Sequence, residues 1–270
     1  MSHFISYKGF HWEYELFGNG DEMLLAFHGF GKQGSDFRIL EQTLGKKYKI
    51  VAFNLPYHGK SRIDESALQK VISKVQMKEL FRLFLQQHHI EKFSLMGYSL
   101  GGKIVLQLIE FFSDKINTVF LFAPDGIRSN MTSGFVTRNA LGKKLYAQVM
   151  NNPARLFSIV KMLRGMKLIH EKMSEFVHSS LSTQEKRQQV WNVWMCFRDI
   201  RPDIPFIQRL INNHHIKMHL FFGKYDRIIP PSIGENFLKK LSDKNCLHIV
   251  EMGHNLIQEK MNGYLLNVAE

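Results

Sequence analysis

The chain has 270 residues, 44% of them hydrophobic, and only two cysteines, Cys196 and Cys246, neither in a CxxC or metal-ligand spacing. It is long enough to bury its own core, which excludes dependence on a disulfide framework or a structural zinc. The formal charge of +12 is uneven: residues 125–202 carry 13 Lys and Arg against 5 Asp and Glu without a tract of five cations, a pattern read as solvated basic surface rather than a nucleic-acid module.

Residues 1–8 show no basic stretch leading into an apolar one, and nowhere do about eighteen apolar residues run uninterrupted, so a cytoplasmic protein without an integral membrane segment is expected. Residues 12–17, 23–27 and 49–53 read as the first strands. Leu24-Leu25-Ala26-Phe27 is apolar without alternation, as in a strand covered on both faces. Met77, Leu80, Phe81 and Phe84 then fall at i, i+3, i+4 and i+7, the stripe of a crossover helix. A strand at 93–96 precedes a second helical stripe of Ile104, Val105, Leu108 and Phe111, and a strand at 117–122 follows.

The alternation breaks between 125 and 202. Leu156, Ile159, Val160 and Leu163, and later Val190, Val193, Trp194 and Phe197, keep helical spacing without any strand run. Arg201-Pro202-Asp203-Ile204-Pro205 stops this segment, and strands at 218–222 and 246–250 complete the pattern. The expected fold is α/β: a mostly parallel twisted sheet of about eight strands with helices on both faces. Residues 1–124 and 203–270 form the core domain, and 125–202 an all-helical insertion.

Gly97-Tyr98-Ser99-Leu100-Gly101, followed by Gly102, lies between a predicted strand and a predicted helix. A G-x-S-x-G turn there is strained enough to push the serine oxygen out of the backbone, and the glycines remove side chains that would collide. The Leu100 amide at the helix start can donate to a developing oxyanion, and His28-Gly29-Phe30-Gly31 after an earlier strand can aim the Phe30 amide at the same point. A serine hydroxyl needs a base in hydrogen-bond reach. Of the 13 histidines, His254 is selected by position, in a loop after the last strand at the carboxyl edge of the sheet. The carboxylate that orients it is sought after another strand end, where two acids qualify: Asp226, favoured by the chain order Ser, Asp, His, and Asp125.

With these motifs in place the chain resembles the α/β-hydrolase superfamily over nearly all its length outside the insertion. The family's oxyanion turn is similar to residues 28–31, its nucleophile elbow to 97–101, its acid loop to 223–230 and its histidine loop to Gly253-His254. Leu55-Pro56-Tyr57-His58-Gly59-Lys60-Ser61 resembles a further family loop, except that Asn54 stands where an aspartate is usual and Tyr57 where the first glycine is. The resemblance implies acyl chemistry rather than the dehalogenase or epoxide hydrolase chemistry of relatives with an aspartate at the elbow. It also implies that 125–202 is a lid over the substrate.

The expected function is therefore a serine hydrolase with a Ser99–His254–Asp226 triad, acting on a small apolar ester without cofactor or metal. The positive charge of 125–202 would also suit a carboxylate-bearing substrate. Alternatives on the same residues are a ligand-sensing protein with little turnover, a C–C bond hydrolase or a perhydrolase.

Overall fold

The computed structural model describes residues 2–65, 70–128 and 131–268. They form two compact units: Met1–Leu68, Ser73–Arg128 and Ile200–Glu270 make one, Gln69–Ile72 and Ser129–Asp199 the other. Among the described residues no helix is long and apolar enough to cross a membrane.

The first unit is built on one sheet. Strands β1 (His3–Tyr7) and β2 (Phe10–Phe17) form a hairpin around Lys8-Gly9. Both turn residues have positive φ, 47° and 80°, the requirement of a tight turn whose twist matches its strands. The remaining strands are β3 (Glu22–Phe27), β4 (Tyr48–Phe53), the short β5 (Arg62–Ile63), β6 (Phe93–Tyr98), β7 (Ile116–Phe122), β8 (Lys217–Gly223) and β9 (Leu247–Val250). Among the described residues this gives nine strands in the order β1-β2-β4-β3-β6-β7-β8-β9, with β5 on β2. The pairings of β2 are antiparallel and all those from β4 to β9 parallel.

Every residue of β6 is buried, as are the last four of β3, β4 and β7, so both faces of the central sheet are covered. Register aligns the carboxyl ends: Phe27 pairs with Gly97, Tyr98 with Phe122, and Gly223 with Val250. The loops after β3, β6, β7, β8 and β9 thus leave from one edge of the sheet, where ligands of open α/β sheets bind.

A short helix α1 (Glu41–Leu44) precedes α2 (Lys74–Gln87), which starts at a capping box: Ser73 Oγ accepts from the Gln76 amide at 3.1 Å and Gln76 Oε1 from the Ser73 amide at 3.0 Å. Helix α3 (Leu100–Phe112) packs on β3, β6 and β7. Its stripe ends on Phe112 rather than Phe111, and Gln107 is buried too, because a later helix, Ile204–Asn213, covers its other side. Near β2 and α2 an aromatic cluster fills the core, with Phe27 stacked on Phe53 at 5.2 Å and Trp12 edge-on to Phe81 at 5.5 Å. Burying each ring stabilises the fold by about 1.5–3 kcal/mol.

The secondary structure of the second unit among its described residues is all helix: α4 (Met131–Arg138), α5 (Ala140–Asn151), α6 (Ala154–Gly165), α7 (Glu171–Leu181) and α8 (Gln184–Cys196), joined by short loops. Arg187 ties three of these together, its guanidinium donating to the carbonyls of Met150 at 3.1 Å and Leu181 at 2.9 Å, while Tyr146 Oη donates to its carbonyl at 2.8 Å. Tyr146 also stacks on Trp191. The Ile72 amide donates to the Cys196 carbonyl at 2.9 Å, which explains why a segment near residue 70 joins this unit. The helical spacing expected around residue 160 is present, but Ile159 is 51% exposed and only Val160 of that stripe is buried. The first unit resumes with α9 (Ile204–Asn213), capped by Asp203 with Pro205 in its first turn, followed by α10 (Ser232–Leu238) and α11 (Met261–Leu265).

Candidate active site

Ser99 sits between β6 and α3 with φ 48° and ψ −114°, a conformation that L side chains avoid at a cost of roughly 1–3 kcal/mol. Three backbone hydrogen bonds hold it there: its amide donates to the Phe122 carbonyl at 2.9 Å, and its carbonyl accepts from the amides of Gly102 at 2.9 Å and Asp125 at 2.8 Å. The turn works only because α3 can approach β3 closely. A Cβ on Gly101 would lie 1.8 Å from the Phe27 carbonyl oxygen.

His254 lies between Ser99 and Asp226. Its Nε2 is 3.1 Å from Ser99 Oγ and its Nδ1 2.7 Å from Asp226 Oδ2. With Asp226 ionised, Nδ1–H donates to the carboxylate and Nε2 accepts from the hydroxyl, the tautomer a general base needs. The Asp226 side chain is fully buried, and its other oxygen accepts from the amides of Ile228 at 2.8 Å and Ile229 at 2.9 Å, leaving one oxygen for the imidazole. The two loops are laced together: the Lys224 amide donates to the Val250 carbonyl at 2.8 Å and the Tyr225 amide to that of Met252 at 3.0 Å. Lys224 and Tyr225 both also bond Glu251.

Asp125 stands apart from this chain. Its carboxylate accepts from the Gly126 amide at 2.8 Å. Burial raises its pKa, and the neighbouring Lys103, the Gly126 amide and His254 offset that in part. Its backbone amide, not its side chain, serves the elbow.

The two proposed oxyanion donors are placed by different devices. The Leu100 amide is the first of a 13-residue helix, where backbone N–H groups lack intrahelical partners and the helix dipole is positive. Phe30 is in the turn after β3, which lies against the serine: a Cβ on Gly29 would stand 3.2 Å from Ser99 Cβ. Two neutral histidines shape this turn. His28 Nδ1 donates to the Gly29 carbonyl at 2.7 Å while Nε2 accepts from the Leu55 amide at 3.0 Å. His58 Nε2 accepts from the Gly31 amide at 3.1 Å while Nδ1 donates to the Pro56 carbonyl at 3.2 Å. Burial, reinforced by the proximity of His58, pushes His28 down to about 3, and burial pushes His58 down to about 4.

Behind them Asn54 accepts from the Gly34 amide at 2.8 Å and donates to Glu13 at 2.7 Å. Burial alone would raise the Glu13 pKa, but hydrogen bonds from the Lys60 amide, Ser2 and Asn54 hold it below the usual value. A carboxylate on β2 therefore stands beside the amide that replaces the usual aspartate. His58 lay within a motif visible in the sequence, whereas Glu13 carried no sequence signal. Among the described residues no three His, Cys, Asp or Glu side chains form a metal-ligating group.

Comparison with known proteins gives the same architecture. The chain is 30% identical over 132 residues to putative esterase/lipase 2 of Mycoplasma pneumoniae, a match covering 47% of this chain and 46% of that one. It spans less than half the length of the curated relatives it matches at 30% identity. An uncharacterized hydrolase of Bacillus subtilis is 23% identical over 92% of this chain and 89% of its own. A thermophilic esterase from Thermogutta terrifontis superposes with TM-score 0.69 at 15% identity over 99% of this chain and 97% of that one, a likeness of fold. The sequence profile describing the alpha/beta hydrolase fold matches residues 22–260, from β3 to beyond His254, and on that match the chain belongs to the α/β-hydrolase family.

Proposed function

We propose that the chain is a serine hydrolase that cleaves a small, apolar ester or related acyl substrate through Ser99, His254 and Asp226. The observation that carries this reading is the unbroken relay from Ser99 Oγ to His254 at 3.1 Å and on to the buried Asp226 at 2.7 Å, beginning on a strained elbow. His254 Nε2 takes the hydroxyl proton as Ser99 Oγ attacks the carbonyl carbon. The oxyanion forms against the Leu100 and Phe30 amides, neither of which donates to a protein acceptor among the described residues. The imidazolium, stabilised by Asp226, gives its proton to the leaving alkoxide. Water, deprotonated by the same histidine, then attacks the acyl carbon and frees the acid and Ser99.

In the same reading the helical unit selects the substrate as a lid. Six of the thirteen methionines fall in residues 125–202 beside Trp191 and Trp194, a composition suited to an adaptable apolar wall. Ser99→Ala tests the reading: hydrolysis of short nitrophenyl esters is expected to fall by about 10⁵-fold or more with unchanged circular dichroism. Residual turnover within about tenfold of wild type would remove Ser99 from the chemistry.

A further inference from the structure

The charge of the helical unit is confined to half of it. Residues 131–170 hold seven cations, Arg138, Lys143, Lys144, Arg155, Lys161, Arg164 and Lys167, and no acid, whereas residues 171–199 hold four of each sign. Arg138 pairs with Asp199 at 2.9 Å, and Arg164 approaches Glu171 at 3.7 Å. The other five are exposed, and none has a carboxylate in ion-pairing reach among the described residues.

The same helices also expose large apolar side chains. Ile159 and Met162 on α6 and Met166 at its C-cap are 51%, 56% and 61% exposed at i, i+3 and i+7, while Val160 on the other side of the helix is buried. Leu168, 64% exposed, follows in the closing turn, where Lys167 has φ 57° and the Leu168 amide bonds the Leu163 carbonyl at 2.9 Å. On α5, Leu141 and Leu145 are exposed at i and i+4 around Lys143 and Lys144.

Single exposed hydrophobics are ordinary on protein surfaces, but a periodic apolar stripe flanked by unneutralised cations is the pattern of a helix lying in a lipid interface. Nucleic acid would engage the cations and leave the isoleucine, methionines and leucines without a partner. We propose that residues 140–168 dock on an anionic lipid surface, with the cations at the headgroups and Ile159, Met162, Met166 and Leu168 entering the acyl boundary. The docking goes beyond the proposed hydrolysis and does not depend on it.

Flotation of the full chain with phosphatidylcholine vesicles, with and without about 30% phosphatidylglycerol, tests this at ~0.1 M and ~0.5 M salt. The expected result is at least about tenfold stronger partition onto the anionic vesicles at low salt, largely lost at high salt and shared by Ser99→Ala. The triple variant Arg155→Glu, Lys161→Glu, Lys167→Glu and the triple variant Ile159→Ser, Met162→Ser, Met166→Ser should each lose it while keeping wild-type circular dichroism and melting. Absence of anionic-vesicle binding by the wild type overturns the proposal. So does binding that the Ile159→Ser, Met162→Ser, Met166→Ser variant retains in full, with matching retention by soluble polyglutamate as the polyanion control, which would mark a plain electrostatic site.

Discussion

Two carboxylates compete for His254 at the level of single residues, and their surroundings separate them. Asp226 gives one oxygen to backbone amides and the other to His254 Nδ1, whereas Asp125 turns its carboxylate to its own turn. Asp226→Asn would leave the geometry nearly intact but stabilise the wrong imidazole tautomer, and kcat is expected to fall about 10⁴-fold. Asp125→Asn should cost less than about tenfold, because the elbow uses its amide rather than its side chain. Steady-state kinetics of the two variants decide the assignment, and the reverse ranking would move the acid to Asp125. Chain order alone favoured Asp226 in the sequence; the distinction became physical only through hydrogen bonds that no linear motif encodes.

Among the elements, the turn from β6 into α3 carries the tightest constraint. Gly101→Ala would place a methyl 1.8 Å from the Phe27 carbonyl, so α3 and β3 would have to separate, with an expected loss of more than about 3 kcal/mol in denaturant unfolding. Gly263→Ala, on α11 with nothing within 4 Å of the added carbon, should raise stability by about 0.5–1 kcal/mol. Equal effects at the two positions would contradict the close-approach account.

The elements legible in the sequence were those whose burial is periodic or continuous. All seven expected strands are present, because a sheet covered on both faces writes itself as apolar runs. Strand β1 was not anticipated: its exposed His3, Phe4 and Ser6 gave no apolar run. The Lys8-Gly9 turn was the available signal for it. The two-residue β5 is too short to show a period, and the Glu13–Asn54 bond joins residues 41 positions apart.

For the whole molecule, three buried histidines couple the fold to pH. His28 is pushed down to about 3, and His58 and His219 to about 4, in each case first by burial. Between their ordinary value near 6.5 and these lowered values the unfolded chain binds more protons than the folded one, so stability is full above about pH 6.5 and falls as pH drops. Each histidine contributes a slope of up to about 1.4 kcal/mol per pH unit. Thermal scans from pH 7 to 4.5 should show a progressive fall in Tm. His219→Phe, which replaces a ring stacked at 5.2 Å on Phe120 and removes a buried Nε2 without a partner among the described residues, should reduce that slope. A Tm independent of pH over this range would contradict the assignment of neutral buried imidazoles.

The central claim is that Ser99 is an activated nucleophile, and labelling with a fluorophosphonate followed by mass spectrometry of the adduct tests it most directly. The account predicts one adduct, on Ser99, absent in Ser99→Ala and formed far more slowly in His254→Ala. A folded wild-type protein that takes no label, or takes it on another residue, would contradict it.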